Sequence, residues 1–234
     1  WIVGMKGKIG FEYILLMITV LIFTFCCVKE GNLKILEVLD HSVNDEILQE
    51  RKQIALTFDD GPHPIYTEFL LDGLKERGVH ATFFLICESL EGKEEIVKRM
   101  SEEGHIIGNH TYTHVQLNLL SIDAACVEIW KTNTALFDIT GKIPVFIRPP
   151  YGLWDEDSAC AVEMQSVLWN IDTEDWKYKD KDRIVELVVK QAKDGGIILL
   201  HDIYKTSVEA ALEIVDRLTE QGYEFVTVDE LLID

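Results

Sequence analysis

Two aspartates stand side by side in LTFDDGPH, residues 56–63, where an apolar run gives way to a Gly-Pro turn. Further along, HTYTH sets His110 and His114 four residues apart, and a later apolar run ends on His201 and Asp202. His-x3-His brings two imidazoles to one side of a helical turn, and a converging carboxylate completes a three-ligand set with a position open for water. That is the pattern of a catalytic metal site. The paired carboxylates then acquire separate tasks: one holds the cation, whose charge offsets their repulsion, and its neighbour takes a proton from the water that the cation activates. Taken singly, D-D-G-P reads as an acidic turn and H-x3-H as two surface histidines. Their occurrence together, at neighbouring strand ends, favours the metal site.

The elements that must position these groups begin at Arg51. Short apolar runs suited to buried parallel strands fall at 54–58, 81–85, 105–109, 145–147, 166–170, 197–200 and 224–228. Between them, helical spacing covers 66–77, 94–103, 122–139, a weak stretch at 156–163, 182–193 and 207–221. Gly78 and Gly222 sit where helices should end, and Ser121 with Asp123 where one should begin. Strict alternation of strand and helix implies right-handed βαβ units on a parallel sheet. Seven units suggest an incomplete or distorted barrel of the TIM type, although an open doubly wound sheet has the same linear pattern. In a barrel, the residues just after each strand share the C-terminal rim that carries active sites. By this reading Asp59 and Asp60, His110 and His114, RPPYG at 148–152, DTEDW at 172–176, and His201 with Asp202 all meet on one rim.

In this order, LTFDDGPH, HTYTH, RPPYG, DTEDW and LLH resemble the five motifs of the polysaccharide deacetylases, the family 4 carbohydrate esterases, over about residues 54–232. The resemblance implies a distorted (β/α)7 TIM-like barrel and metal-dependent removal of acetyl groups from N-acetylated sugars or, in some members, from xylan. It further implies that Asp59 is the general base and that Asp60, His110 and His114 hold the metal. Zinc is the expected ion, with Co2+, Mn2+ or Ni2+ as alternatives. Arg148 would orient the base carboxylate, the backbone N–H of Tyr151 would help hold the oxyanion, and His201 would protonate the departing amine. Leu199 would line the acetyl pocket and Trp176 a wall of the groove. Asp175 would be the partner of His201, with Asp172 as the second candidate. Each residue also admits an ordinary role, as a salt-bridge former, a packing aromatic or a satisfied strand-end histidine.

Composition narrows the partners. Lys and Arg total 22 against 41 Asp and Glu, a formal net charge of -19, which argues against capture of nucleic acid. Residues 11–28, FEYILLMITVLIFTFCCV, have roughly the length that crosses a bilayer. Lys6 and Lys8 precede them, so the positive-inside rule puts the N-terminus in the cytoplasm. The expected organisation is a cytoplasmic N-terminus at 1–10, a transmembrane anchor or signal sequence at 11–28, a spacer at 29–50 and a catalytic domain at 51–234. Cys87, Cys126 and Cys160 have apolar neighbours and no metal-type spacing, and read as buried free thiols. Together, the resemblance and the apolar segment lead to the expectation of a monomeric deacetylase of an acetylated glycan polymer, peptidoglycan first, anchored in the membrane with its catalytic domain extracytoplasmic or, alternatively, secreted. Chitin oligomers or acetylated xylan are the alternative substrates, and an inactive glycan-binding descendant is the alternative outside enzymes.

Overall fold

The computed structural model describes residues 52–153 and 164–232, all within the compact unit Arg51–Asp234. The segments 1–10, 11–28 and 29–50 and the weak helical stretch at 156–163 lie outside the described residues. Among the described residues no helix is long and apolar enough to cross a membrane.

Among the described residues eight strands form: β1 (Lys52–Asp59), β2 (Thr82–Leu85), β3 (Ile106–Asn109), β4 (Phe146–Ile147), β5 (Gln165–Ser166), β6 (Ile171–Asp172), β7 (Gly196–His201) and β8 (Tyr223–Val226). Seven α-helices accompany them among the described residues: α1 (Tyr66–Arg77), α2 (Glu94–Glu102), α3 (Ile122–Thr140), the short α4 (Asp175–Tyr178), α5 (Lys181–Gln191), α6 (Lys205–Glu220) and α7 (Val228–Leu232). The sheet runs β5-β4-β3-β2-β1-β7-β6, with β8 also paired to β1, and every pairing is parallel. The last six residues of β1 are buried on both faces, as a central strand covered by helices requires. Ile54, Leu56 and Phe58 pack with Phe83, Ile198 and Leu200 and with the inner faces of α1 and α6, including Leu70, Leu74, Ala211 and Ile214.

Local chemistry accounts for the element boundaries. Helix α1 ends because Gly78 takes the left-handed conformation, φ 63, and returns its N–H to the carbonyls of Leu74 and Lys75. Ser121 caps α3 by accepting a bond from the Ala124 N–H at 3.3 Å. The strand expected over 224–228 stops at Val226, since Glu230 Oε2 accepts both the N–H and the hydroxyl of Thr227 at 2.8 Å where α7 starts.

The expected barrel of seven strands needs correction. The apolar run 166–170 is not one strand: Ser166 ends β5, and 167–170 link it to β6, the two lying at opposite edges of the sheet order. Arg148 is the cause: its Nε and Nη2 donate to the carbonyls of Val167 and Leu168 at 3.0 and 3.3 Å, diverting them from any ladder. Fully extended, the chain from Ser166 to Ile171 spans at most roughly 18 Å, so the two edges must approach each other. No ladder joins β5 to β6 among the described residues. The architecture is therefore a curled parallel half-barrel, bridged by the 167–170 link and by Arg148 rather than closed by strand pairing. The cysteine reading also changes: Cys87 is a free, half-buried thiol, but Cys126 is disulfide-bonded.

Candidate active site

Parallel register brings the chemistry together. Asp59 at the end of β1 is the direct partner of His201 at the end of β7, and Asp172 of β6 is the partner of Leu199. The His110 N–H bonds to the carbonyl of Leu85 and the Arg148 N–H to that of Asn109, so each motif leaves the sheet at the same level. Asp59, Asp60, His110, His114, Tyr151, Trp176, Leu199 and His201 line one cavity of about 460 Å3, joined by Trp169, Asp172 and Tyr204. Among the described residues, six besides glycine have a left-handed φ: Asp60, Thr111, His114, Tyr151, Glu174 and Lys179. Five of the six belong to the motif segments at this rim. Such conformations cost about 1–3 kcal/mol each and persist where surrounding structure over-determines them.

Asp59 is buried and held by Arg148, whose Nη1 donates to Asp59 Oδ1 at 2.8 Å. The same nitrogen donates to Thr57 Oγ1 at 2.8 Å, and the guanidinium lies 4.2 Å over the Phe84 ring. With 0% of its surface exposed, Arg148 spends its donors on fixed acceptors. This leaves Asp59 Oδ2 facing the cavity side, 3.7 Å from His110 Nε2.

Asp60 Oδ1 lies 3.4 Å from His110 Nε2 and 3.5 Å from His114 Nε2, beyond good hydrogen bonds, and is buried with no bonding partner. The His110 Nδ1 contacts the Arg148 carbonyl oxygen at 2.6 Å, and because a carbonyl only accepts, Nδ1 carries the proton and Nε2 turns its lone pair to the cluster. One oxygen and two imidazole nitrogens, all within 4.8 Å of one another, fit a divalent cation better than they fit each other. Burial acts to raise the Asp60 carboxyl, but the contact with His110 and the charges of His110, His201 and His114 outweigh it and hold it below the usual range.

His201 has the opposite setting. Its Nδ1 lies 2.7 Å from Asp175 Oδ1, and its backbone N–H donates to Asp175 Oδ2 at 2.8 Å. Burial pulls the imidazolium down, yet the Asp175 bond and the charges of Asp175, Asp59 and Asp60 win, and the pKa is pushed up to about 9. The contact falls to Asp175 rather than Asp172, whose Oδ1 instead accepts the Glu174 N–H at 2.9 Å. In Asp175→Asn the bond weakens and the charge is lost, so the His201 midpoint, followed by NMR, should move from about 9 toward the ordinary 6.5 or below. The proton now kept throughout neutral pH would then be lost within it. An unmoved midpoint would assign the proton to the field of Asp59 and Asp60 instead.

Beneath the Asp-Asp-Gly-Pro turn, Asp202 is fully buried, accepts the hydroxyl of Thr67, and is pushed up to about 7 by burial. A Cβ on Gly61 would sit inside the Asp202 carboxylate, which is why this turn needs glycine.

A family model described as polysaccharide deacetylase matches residues 48–166. The chain belongs to the polysaccharide deacetylase family. It is 43% identical over 195 residues to the peptidoglycan-N-acetylmuramic acid deacetylase PdaC of Bacillus subtilis, covering 83% of this chain and 42% of that one. To the peptidoglycan-N-acetylglucosamine deacetylase PgdA of Listeria monocytogenes it is 44% identical over 180 residues, 77% of this chain and 39% of that one. The chain thus spans about two fifths of the length of these curated relatives. A solved structure of Bacillus subtilis PdaC superposes with a TM-score of 0.75 at 44% identity, covering 78% of this chain and 90% of that chain.

Two features of this polysaccharide deacetylase chain were not legible in its motifs. The HTYTH segment is no helical turn: the Thr111 N–H bonds to Asn109 Oδ1 at 2.7 Å, and Thr111 and His114 take left-handed φ values of 68 and 58. The Tyr112 and Thr113 N–H groups go to Glu128 on α3, a residue without any motif context. Trp169 and Tyr204 also line the cavity unannounced: Tyr204 follows the end of β7 closely enough for the rim argument to have included it, whereas Trp169 falls inside the run read as a strand over 166–170.

Proposed function

We propose that this chain is a metal-dependent deacetylase that hydrolyses N-acetyl groups of an N-acetylglucosamine-containing polysaccharide, with peptidoglycan as substrate and zinc as the ion. The observation that carries this reading is one cavity faced by an Arg148-held carboxylate, a cation-ready triad and an Asp175-bound imidazolium. Asp60, His110 and His114 would hold the cation, which when bound would supply Lewis-acid polarisation to the acetyl carbonyl and to the attacking water. Asp59 Oδ2 takes a proton from that water, while Arg148 keeps the other oxygen in place. The Tyr151 N–H donates to the oxygen on which charge develops. His201, oriented through Nδ1 by Asp175, gives its Nε2 proton to the departing nitrogen. The carbon–nitrogen bond breaks, leaving acetate and a free amine. Trp176 and Leu199 shape the wall and the acetyl pocket.

Peptidoglycan is favoured by the two curated relatives, both named as peptidoglycan deacetylases. Two histidines and one carboxylate suit zinc. An extracytoplasmic location, held by the 11–28 segment, is supported by Lys6 and Lys8 ahead of that segment and by the disulfide at Cys126. The test is acetate release from peptidoglycan, chitin oligomers and acetylated xylan, with and without chelator. Release from peptidoglycan should exceed the others, vanish on chelation and return with Zn2+. No release from any substrate with metal supplied would sink the enzyme reading.

A further inference from the structure

Glu128 lies on α3, is half-buried and does not line the cavity. One of its oxygens, Oε2, nevertheless accepts three bonds from the HTYTH loop: the Tyr112 N–H at 3.0 Å, the Thr113 N–H at 2.8 Å and the Thr113 hydroxyl at 3.1 Å. The first half of the loop is held from elsewhere. Thr111 donates to Asn109, its carbonyl accepts the Cys87 N–H, and the Tyr112 carbonyl accepts the Glu88 N–H. The second half, which leads directly to His114, depends on Glu128 for both of its N–H groups among the described residues. One turn further along α3, Lys131 Nζ lies 4.8 Å over the Tyr112 ring.

The helix is itself fixed to the sheet at this point. Asn109 at the end of β3 donates from Nδ2 to the Ile129 carbonyl at 3.0 Å and to Asn133 Oδ1 at 2.7 Å, so the strand that leads into His110 is tied to the turn of helix that carries Glu128. His110 is positioned by the sheet and by the Arg148 carbonyl. His114 has no such support from regular structure: it takes a left-handed φ of 58, and no backbone ladder reaches it. A carboxylate gathering consecutive N–H groups replaces the hydrogen bonds that a helical turn would have supplied.

We propose that Glu128 is the positioning residue that presets His114 for the cation, acting through the backbone of Tyr112 and Thr113. The inference rests on the metal-site reading of Asp60, His110 and His114 given above. Without the carboxylate, the loop samples arrangements in which the His114 imidazole points away, and the ion must restore the order on binding.

The experiment measures Zn2+ affinity of the full chain by competition with a chromophoric chelator, with the thermal midpoint in excess chelator as a control. Glu128→Ala should weaken Zn2+ binding by roughly 10–100-fold, the usual cost of losing an outer-shell support, while the metal-free midpoint stays put. Glu128→Gln keeps an oxygen that accepts the same N–H groups and should bind Zn2+ close to wild type. Should Glu128→Ala not fold, Glu128→Asp replaces it, since the side chain is one methylene too short to reach the loop. Affinity unchanged in the Ala or Asp variant, or weakened equally by Ala and Gln, overturns the proposal. Because affinity is read without substrate, a chain that binds Zn2+ tightly but releases no acetate counts against the deacetylase reading alone.

Discussion

Asp59→Asn is expected to slow acetate release by roughly a thousandfold, the scale of losing a positioned general base, while leaving the divalent ion bound. The amide oxygen can still accept from Arg148 Nη1, so the side chain stays where the 2.8 Å contact holds it, but the other atom becomes an NH2 that takes no proton. His114→Ala should behave differently. It removes one of only three donors, one of the two nitrogens 3.4–3.5 Å from Asp60 Oδ1, and the metal itself should be lost on gel filtration. Metal content and acetate release, measured on the same preparations, separate the two. Equal metal loss in both variants would overturn the division of labour between the adjacent aspartates.

Arg148→Met should lower stability by about 3–5 kcal/mol, because it strips a buried carboxylate of its partner. For a chain of this length that corresponds to a thermal midpoint lower by roughly 6–20 °C. Three consequences coincide: Asp59 loses its counter-charge, the Val167 and Leu168 carbonyls lose their donors, and the bridge between β5 and β6 loses what holds it. Arg148→Lys keeps a charge but cannot offer the planar fork that serves these acceptors together, and should fall between wild type and Arg148→Met. Thermal denaturation in chelator isolates the effect from metal binding. A midpoint unchanged in Arg148→Met would mean that water satisfies these groups and that Arg148 acts on the reaction alone.

These variants touch residues whose type was evident from the motifs and whose partners were not. Helix α1 was legible to the residue because everything that defines it is local: apolar spacing within the helix and a glycine at its end. The strands of the central sheet were legible for the same reason, as short apolar runs between turn residues. The 166–170 run misled because its apolar character is real but its carbonyls belong to Arg148, nearly 20 residues earlier. Cys126 misled because three cysteines without metal spacing do not reveal which of them pair.

The sequence by itself determined the family, the parallel α/β class and the set of groups that share the rim, since strand ends in alternating βαβ units must face one way. Tertiary structure decided the rest. It chose Asp175 over Asp172 for His201, left Asp60 Oδ1 without a protein partner beside two imidazoles, and shaped HTYTH as an irregular loop supported from α3. Periodicity and capping are read within a few residues, whereas a buried donor or acceptor takes whichever partner the folded chain brings to it. The adjacent aspartates of LTFDDGPH are alike in the chain and differ only in what the fold sets against them: a buried guanidinium for Asp59, and two imidazole nitrogens for Asp60.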